Sequence, residues 1–337
     1  MRVGLTYNLK KEVGESEGLP EDFYAEWGDP VTVESVRDAI LERHEEVVMI
    51  EADEGAYEKL RSSRPEMVFN MAEGLRGESR ESQLPAIMDM LGIPYTGSAP
   101  LTLGLCLNKA RTKELLSSYN IPTSRFAVIE DGDVDLDRCL GFPMIVKPLF
   151  EGSSKGIRND SVVHDSRQLR EKVLSVRQTY RQPVLVEEYL AGREFTIAVL
   201  GNGPAMEALP IVEIDYSALP EGVTHIYSYE ARWMLDGPEN PLDIFACPAP
   251  VNERLKVGLE KAALDACRVM DIKDWCRVDI RCNSVGAPHV LELNPLPGIL
   301  MDPRRNSCFP RAARAAGMTF TDLVNRVIDL AAERYGL

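Results

Sequence analysis

No run of apolar residues approaches the roughly 18 needed to cross a bilayer, which excludes a membrane-spanning helix. Histidine is scarce: residues 44, 164, 225 and 289 are the only four among 337, and their scatter defines no triad or metal motif. The seven cysteines are odd in number and contain no C-x-x-C pair, which argues against a disulfide framework or a zinc site and for reduced thiols. Positive charge is also in deficit, with 38 Lys and Arg against 53 Asp and Glu and a net charge of -15. General affinity for nucleic acid is thereby excluded, and any polyanion must sit in a local basic pocket. There is no Walker pattern, no internal repeat and no low-complexity tract. Met1-Arg2-Val3-Gly4-Leu5 begins as a strand without a secretory pattern, and 45% hydrophobic with 27% charged residues is a globular profile. A cytoplasmic protein of two or three domains is expected.

What is present begins with strand and helix in alternation. Strands at 2–7, 46–50 and 66–70 and helices at 33–44, 55–63 and 80–91 predict a parallel sheet with helices on both faces. The stretch between residues 8 and 30 reads as an irregular acidic loop. Further helices are predicted at 101–118, 166–180, 252–270, 311–316 and 321–334, and strands at 125–129, 142–148, 184–190, 191–200 and 207–214. Residues 215–247 form a long connection carrying His225, Tyr227, Arg232 and Trp233, whose aromatic content predicts a packed lid.

Two stretches carry chemistry. Cys276-Arg277-Val278-Asp279-Ile280-Arg281 and Val290-Leu291-Glu292-Leu293-Asn294 alternate polar with apolar around a turn-rich linker, which predicts an antiparallel hairpin. The period of two puts Arg277, Asp279 and Arg281 on one face with Glu292 and Asn294, and Val278, Ile280, Leu291 and Leu293 in a core. An oxygen-only cluster of this kind suits Mg2+ shared with substrate phosphates. A solvated face on which Arg277 and Arg281 pair the acids is the alternative. The second stretch, Gly152-Ser153-Ser154-Lys155-Gly156, follows an apolar strand ending in Lys147, and its glycines let backbone N–H and hydroxyl groups approach phosphate oxygens. Lys109 and Lys113 sit on a helix where Lys109 could meet a phosphate, although a helix lysine is by default solvated. Glu187 reads as a strand-edge acid beside a backbone able to read adenine, and Glu194 as an acceptor for ribose hydroxyls; an ordinary strand-end acid is the alternative for each.

Four stretches together resemble the ATP-grasp superfamily and, within it, the D-alanine-D-alanine ligase family. They are 92–98 (GIPYTGS), Val146-Lys147-Pro148 with 151–156 (EGSSKG), 192–196 (GREFT), and Arg277-Val278-Asp279 with 292–298 (ELNPLPG). The resemblance covers about residues 66–330. It implies an α/β (α+β overall) ATP-grasp fold with an N-terminal Rossmann-like domain over 1–100, a central lobe over 101–190 and a C-terminal lobe over 191–337. It implies ATP and two Mg2+ ions (Mn2+ in their place) as cofactors, small amino-acid or peptide substrates, and a homodimer through the first domain. By residue, it implies Lys109, Lys147, Gly152, Ser154 and Arg232 at the ATP phosphates, Glu187, Tyr189 and Leu190 at the adenine, and Glu194 at the ribose. Asp279, Glu292 and Asn294 would hold the metal. Ser153 would cover the transferred phosphate, Arg277 with the Gly298 amide would stabilise the tetrahedral intermediate, and Ser307 would bind the second substrate's carboxylate.

The departures from the family fall on the substrate side. The family's N-terminal glutamate for the substrate ammonium is not evident, and 72–81 (AEGLRGESRE) stands where the family has a short His-Gly loop. Trp233 replaces a lid tyrosine, and the loop before Ser307 carries Arg304 and Arg305 toward a different second substrate. His225 shares the lid with Trp233, where a packed or surface role competes with one at the substrate. The expected activity is ADP-forming carboxylate-amine ligation through an acyl phosphate. The alternatives are a nucleotide-binding regulatory protein without turnover, a ligase making a different amide, and an ATP-grasp kinase or carboxylase.

Overall fold

The computed structural model describes residues 1–11, 18–130, 140–236 and 241–337. Cys139 therefore lies outside the described residues; the six cysteines within them are free. In chain order the elements begin with β1 (Arg2–Tyr7), α1 (Pro30–Leu41), β2 (Glu46–Glu51), α2 (Ala56–Ser63), β3 (Met67–Asn70) and α3 (Gln83–Leu91). The three strands form a parallel sheet in the order β2-β1-β3. Alternation along them sends Val3, Leu5, Met67 and Phe69 toward Val36 and Ile40 of α1, and Ile50 and Val68 toward Leu60 of α2 and Met88 of α3. Both faces are thus covered, as the alternation predicts.

The expected helix over 101–118 is two: α4 (Pro100–Leu107) and α5 (Lys109–Ser118). Asn108 is extended at φ -83° and ψ 95°, and its side chain accepts from the Arg111 N–H as a new N-cap. The break redirects the chain so that Lys109 and Lys113, one turn apart, face inward; they are 7% and 0% exposed, not solvated.

Next come β4 (Phe126–Ile129), β5 (Met144–Pro148), β6 (Val162–Val163), α6 (Ser166–Tyr180) and β7 (Val184–Glu188), with sheet order β4-β7-β5-β6. Val184 and Val186 pack with Leu169 and Val176 of α6, which leaves Leu185 and Glu187 on the opposite face.

The third sheet takes β8 (Glu194–Leu200), β9 (Glu207–Ala208), β10 (Val212–Ile214), β11 (Phe245–Ala246), β12 (Trp275–Cys282) and β13 (Pro288–Asn294). Its order is β11-β10-β8-β12-β13, with β9 pairing β8. Helix α7 (Glu253–Val269) covers one face through Leu259, Ala263 and Cys267, against Phe195, Val278, Ile280 and Leu293. Helices α8 (Cys308–Ala315) and α9 (Phe320–Tyr335) complete the chain, and α9 joins the core beside α1. Among the described residues no helix is long and apolar enough to cross a membrane.

Candidate active site

The hairpin β12–β13 is antiparallel, with Asp279 opposite Glu292 and Arg277 opposite Asn294, so the predicted polar face exists. One apolar assignment fails. The register shifts between Asp279 and Ile280, pairing Ile280 with Val290 and leaving Leu291 as the extra residue of a bulge. Val290 takes the core position at 0% exposure, and Leu291 lines the cleft.

That cleft has a volume of about 360 Å³ and lies between the β8–β12–β13 face and the central sheet. It is lined by Lys109, Lys147, Gly152, Ser153, Ser154, Glu194, Arg232, Trp233, Arg277, Asp279, Glu292, Asn294, Gly298, Arg305 and Ser307. On its floor Asp279 accepts from Thr196 Oγ1 at 2.8 Å, from Arg277 Nη2 at 2.7 Å and from Asn294 Nδ2 at 3.1 Å. Lys109 Nζ lies 2.9 Å from Glu292. Burial alone would push the Glu292 carboxyl up; Lys109, Lys147 and Arg277 outweigh it and hold the group well below the usual carboxylate range. Arg281 donates to Glu194 at 2.9 Å, so the arginines do pair acids, but inside a cleft instead of on a solvated face.

The oxygen donors of Asp279, Glu292 and Asn294 fit a hard divalent cation. Among the described residues no three His, Cys, Asp or Glu side chains form a ready cage. Two carboxylates and a carboxamide make a partial set, the kind that suits an ion completing its shell with substrate phosphate and water.

Glu187 departs from its expected place. Its strand β7 runs between β4 and β5, so it is interior to the sheet and has no free edge. Its carboxylate is 1% exposed and lies 2.6 Å from both Lys113 Nζ and Lys147 Nζ. Burial raises its pKa, but the two lysines win and hold it at about 2. It thereby holds the Lys147 ammonium in place. Tyr189 turns its hydroxyl to the His225 carbonyl at 3.1 Å, and Leu190 is buried; neither lines the cleft. Arg304 also fails to reach it, pairing Asp302 with its side chain 78% exposed. Arg305 does reach it, bound to Asp29 at 3.0 Å, and Ser307 Oγ donates to the Gly298 carbonyl at 3.2 Å.

The loop after β5 is held on two sides. Trp233 Nε1 donates to the Ser153 carbonyl at 3.2 Å and Ser154 Oγ to the Tyr227 carbonyl at 2.8 Å, so the expected segment 215–247 packs on this loop through these residues, while its positions 237–240 lie outside the described residues. Its helical turn Glu230–Leu235 carries Arg232 and Trp233, with Lys10 Nζ 4.7 Å from the Trp233 ring. His225 is exposed, its ring against Tyr216 at 6.2 Å.

Sequence reasoning missed a cluster on the other side. Glu26 accepts from Arg80 at 2.8 Å, Lys155 at 3.0 Å and the Gly152 N–H at 2.6 Å. Burial opposes its charge, but Lys155 and Arg80 hold its pKa at about 2. Glu73 and Glu81 line the same cleft. Burial and Glu26 push Glu81 up to about 7 against the pull of Arg80, and burial with Glu81 raises Glu73. The only sequence signal was the departure at 72–81 from the family's His-Gly loop.

Glu81 supplies a prediction. Its folded pKa lies above the ordinary 4.5, so the unfolded chain loses its proton first. Stability is full below about pH 4.5, falls as pH rises and levels off above about 7. Glu81→Gln is expected to stabilise the fold by about 1–3 kcal/mol at pH 8 and by almost nothing at pH 4.5, as read from urea melts at both values.

Residues 115–329 match the family model described as D-ala D-ala ligase C-terminus. The chain is 33% identical over 301 residues to a D-alanine--D-alanine ligase of Bordetella parapertussis, covering 88% of each. It is 34% identical over 319 residues to protein y4sG of Sinorhizobium fredii, covering 92% of this chain and 90% of that one. The solved structure of the D-alanine--D-alanine ligase from Bacillus anthracis, complexed with ATP, shares the fold with a TM-score of 0.72 at 23% identity, covering 100% of this chain and 99% of that one. The chain therefore belongs to the D-alanine-D-alanine ligase family of ATP-grasp, ATP-dependent ligases.

Proposed function

We propose that the protein is an ADP-forming ligase that joins the carboxylate of one amino acid or small peptide to the amine of another through an acyl phosphate. The observation that supports this most is the meeting of Asp279, Glu292 and Asn294 with Lys109 and Lys147 on one cleft. In this reading Lys109 and Lys147 bind the ATP phosphates, and Asp279, Glu292 and Asn294 hold Mg2+. Bound there, Mg2+ would neutralise phosphate charge that otherwise repels the attacking carboxylate. Glu194 takes the ribose, and the adenine extends beyond the cleft to the backbone around Tyr189 and Leu190, which line no part of the cleft itself. Arg277 and the Gly298 amide face the oxyanion that develops when the amine attacks, a role worth on the order of 3 kcal/mol in comparable sites. Ser307 orients the second substrate, while Ser153 and the lid carrying Arg232 and Trp233 exclude water from the acyl phosphate. The same reading divides the chain near residues 100 and 190 and includes a cytoplasmic homodimer.

The substrates need not be two D-alanines. Glu26 is saturated by Arg80 and Lys155, Trp233 occupies the lid, and Arg305 with Asp29 closes the second-substrate side. These features support an altered amino-acid pair. The deciding experiment is phosphate release from Mg-ATP with D- and L-amino acids singly and in pairs, products being identified by mass. Release that requires an acid and an amine together is expected; no release with any pair would overturn the reading. Trp233→Tyr is expected to change the ranking of accepted pairs by about tenfold or more while KM for ATP moves less than about threefold. An unchanged ranking would make the indole a packing group only.

A further inference from the structure

The Gly152–Gly156 loop has a backbone that it cannot hold by itself. Ser153 and Ser154 lie at φ 51° and 63°, in the left-handed region, which a non-glycine residue adopts only under strain. Gly156 follows at φ 72°, and a Cβ there would meet the Pro148 ring at 2.3 Å. Such a conformation persists only where its surroundings over-determine it. Part of what holds it comes from far away in the sequence. The Gly156 N–H donates to Asp22 Oδ2 at 3.0 Å, and the hydroxyl of Tyr180, at the end of α6, donates to the same oxygen at 2.5 Å. Asp22 sits in a run of tight turns over 20–27 and is 1% exposed. The Arg158 guanidinium is 3.8 Å away, and Asp22 Oδ1 accepts no hydrogen bond among the described residues. A carboxylate buried with one oxygen unsatisfied costs stability, so a loop-holding role accounts for a group that folding alone does not favour.

We infer that Asp22 is a positioning residue for this loop: a carboxylate of the N-terminal region that clamps its Gly156 end to the end of α6. The loop then cannot lift unless the 20–27 turns move with it. The inference rests on the proposed reading that this loop covers the transferred phosphate. Under that reading the clamp keeps water from the acyl phosphate and ties loop closure to the N-terminal region.

The test compares Asp22→Ala, Asp22→Asn and the wild type in Mg-ATP. One readout is amide hydrogen exchange in a peptide spanning 150–158, and the other is phosphate released per amide formed. Asp22→Ala is expected to speed loop exchange about tenfold. It should raise the phosphate-to-amide ratio about threefold or more, with KM for ATP within about threefold of wild type. Asp22→Asn keeps an acceptor for Gly156 and should restore most of both. Exchange and ratio unchanged in Asp22→Ala would overturn the clamp. Should that variant fail to fold, Tyr180→Phe carries the test: a smaller change in the same direction supports the clamp, and none overturns it. If the wild type forms no amide with any pair, the ligase reading falls and the exchange result alone decides the clamp.

Discussion

Asp279→Asn and Glu292→Gln are each expected to lower kcat by about 10²–10³-fold or more, a loss of roughly 3–4 kcal/mol in transition-state stabilisation. The cost to folding should be smaller. Asp279 only accepts, from Thr196 and Arg277 at one oxygen and from Arg277 and Asn294 at the other, so an amide at 279 keeps the Arg277 Nη2 and Asn294 bonds when its NH2 turns to the Thr196 hydroxyl, which can accept. Glu292→Gln leaves Lys109, 7% exposed, with a neutral partner, which costs about 1–3 kcal/mol. Steady-state turnover measured beside urea melts separates the two effects. Full activity in either variant would refute the metal assignment, and a stability loss larger than the activity loss would make these acids structural.

Glu187→Gln should do the reverse, harming the fold first. The wild-type carboxylate lies between two lysines, one of them 0% exposed. Removing the charge strands Lys113 in the interior, and breaking a buried pair from one side costs about 3–5 kcal/mol. Lys113→Met combined with Glu187→Gln should recover part of that loss, because the stranded cation is then gone. A Glu187→Gln protein that unfolds at the wild-type urea midpoint would contradict this account. Acid should act on the same group: its stability contribution is present above about pH 4.5 and is lost as pH falls toward 2.

How much of this was legible in the sequence depended on period. The hairpin face of Arg277, Asp279, Glu292 and Asn294 could be read because a strand repeats every second residue, and the parallel N-terminal sheet because strand and helix alternate. Leu291 could not, because a bulge shifts the register by one and nothing in 290–294 announces it. Asn108 is a residue type that favours N-caps, but helix-compatible residues on both sides, LTLGLCL before it and KARTKELL after it, hid the break. Glu187 was misplaced because sheet order is a long-range property: whether β7 is an edge depends on β4, which lies far earlier in the chain. Glu26 and Asp22 were invisible for the same reason, since an acidic loop reads as solvated until the loop that it grips is known.

In the proposed function the acids of β12–β13 and the lysines opposite them close on one metal-bound triphosphate. Electron paramagnetic resonance of Mn2+ titrated into the protein with a non-hydrolysable ATP analogue tests it most directly. Two Mn2+ retained per chain in the wild type, only with the analogue present, and fewer in Glu292→Gln is the predicted result. No retained Mn2+, or the same amount in both proteins, would contradict it.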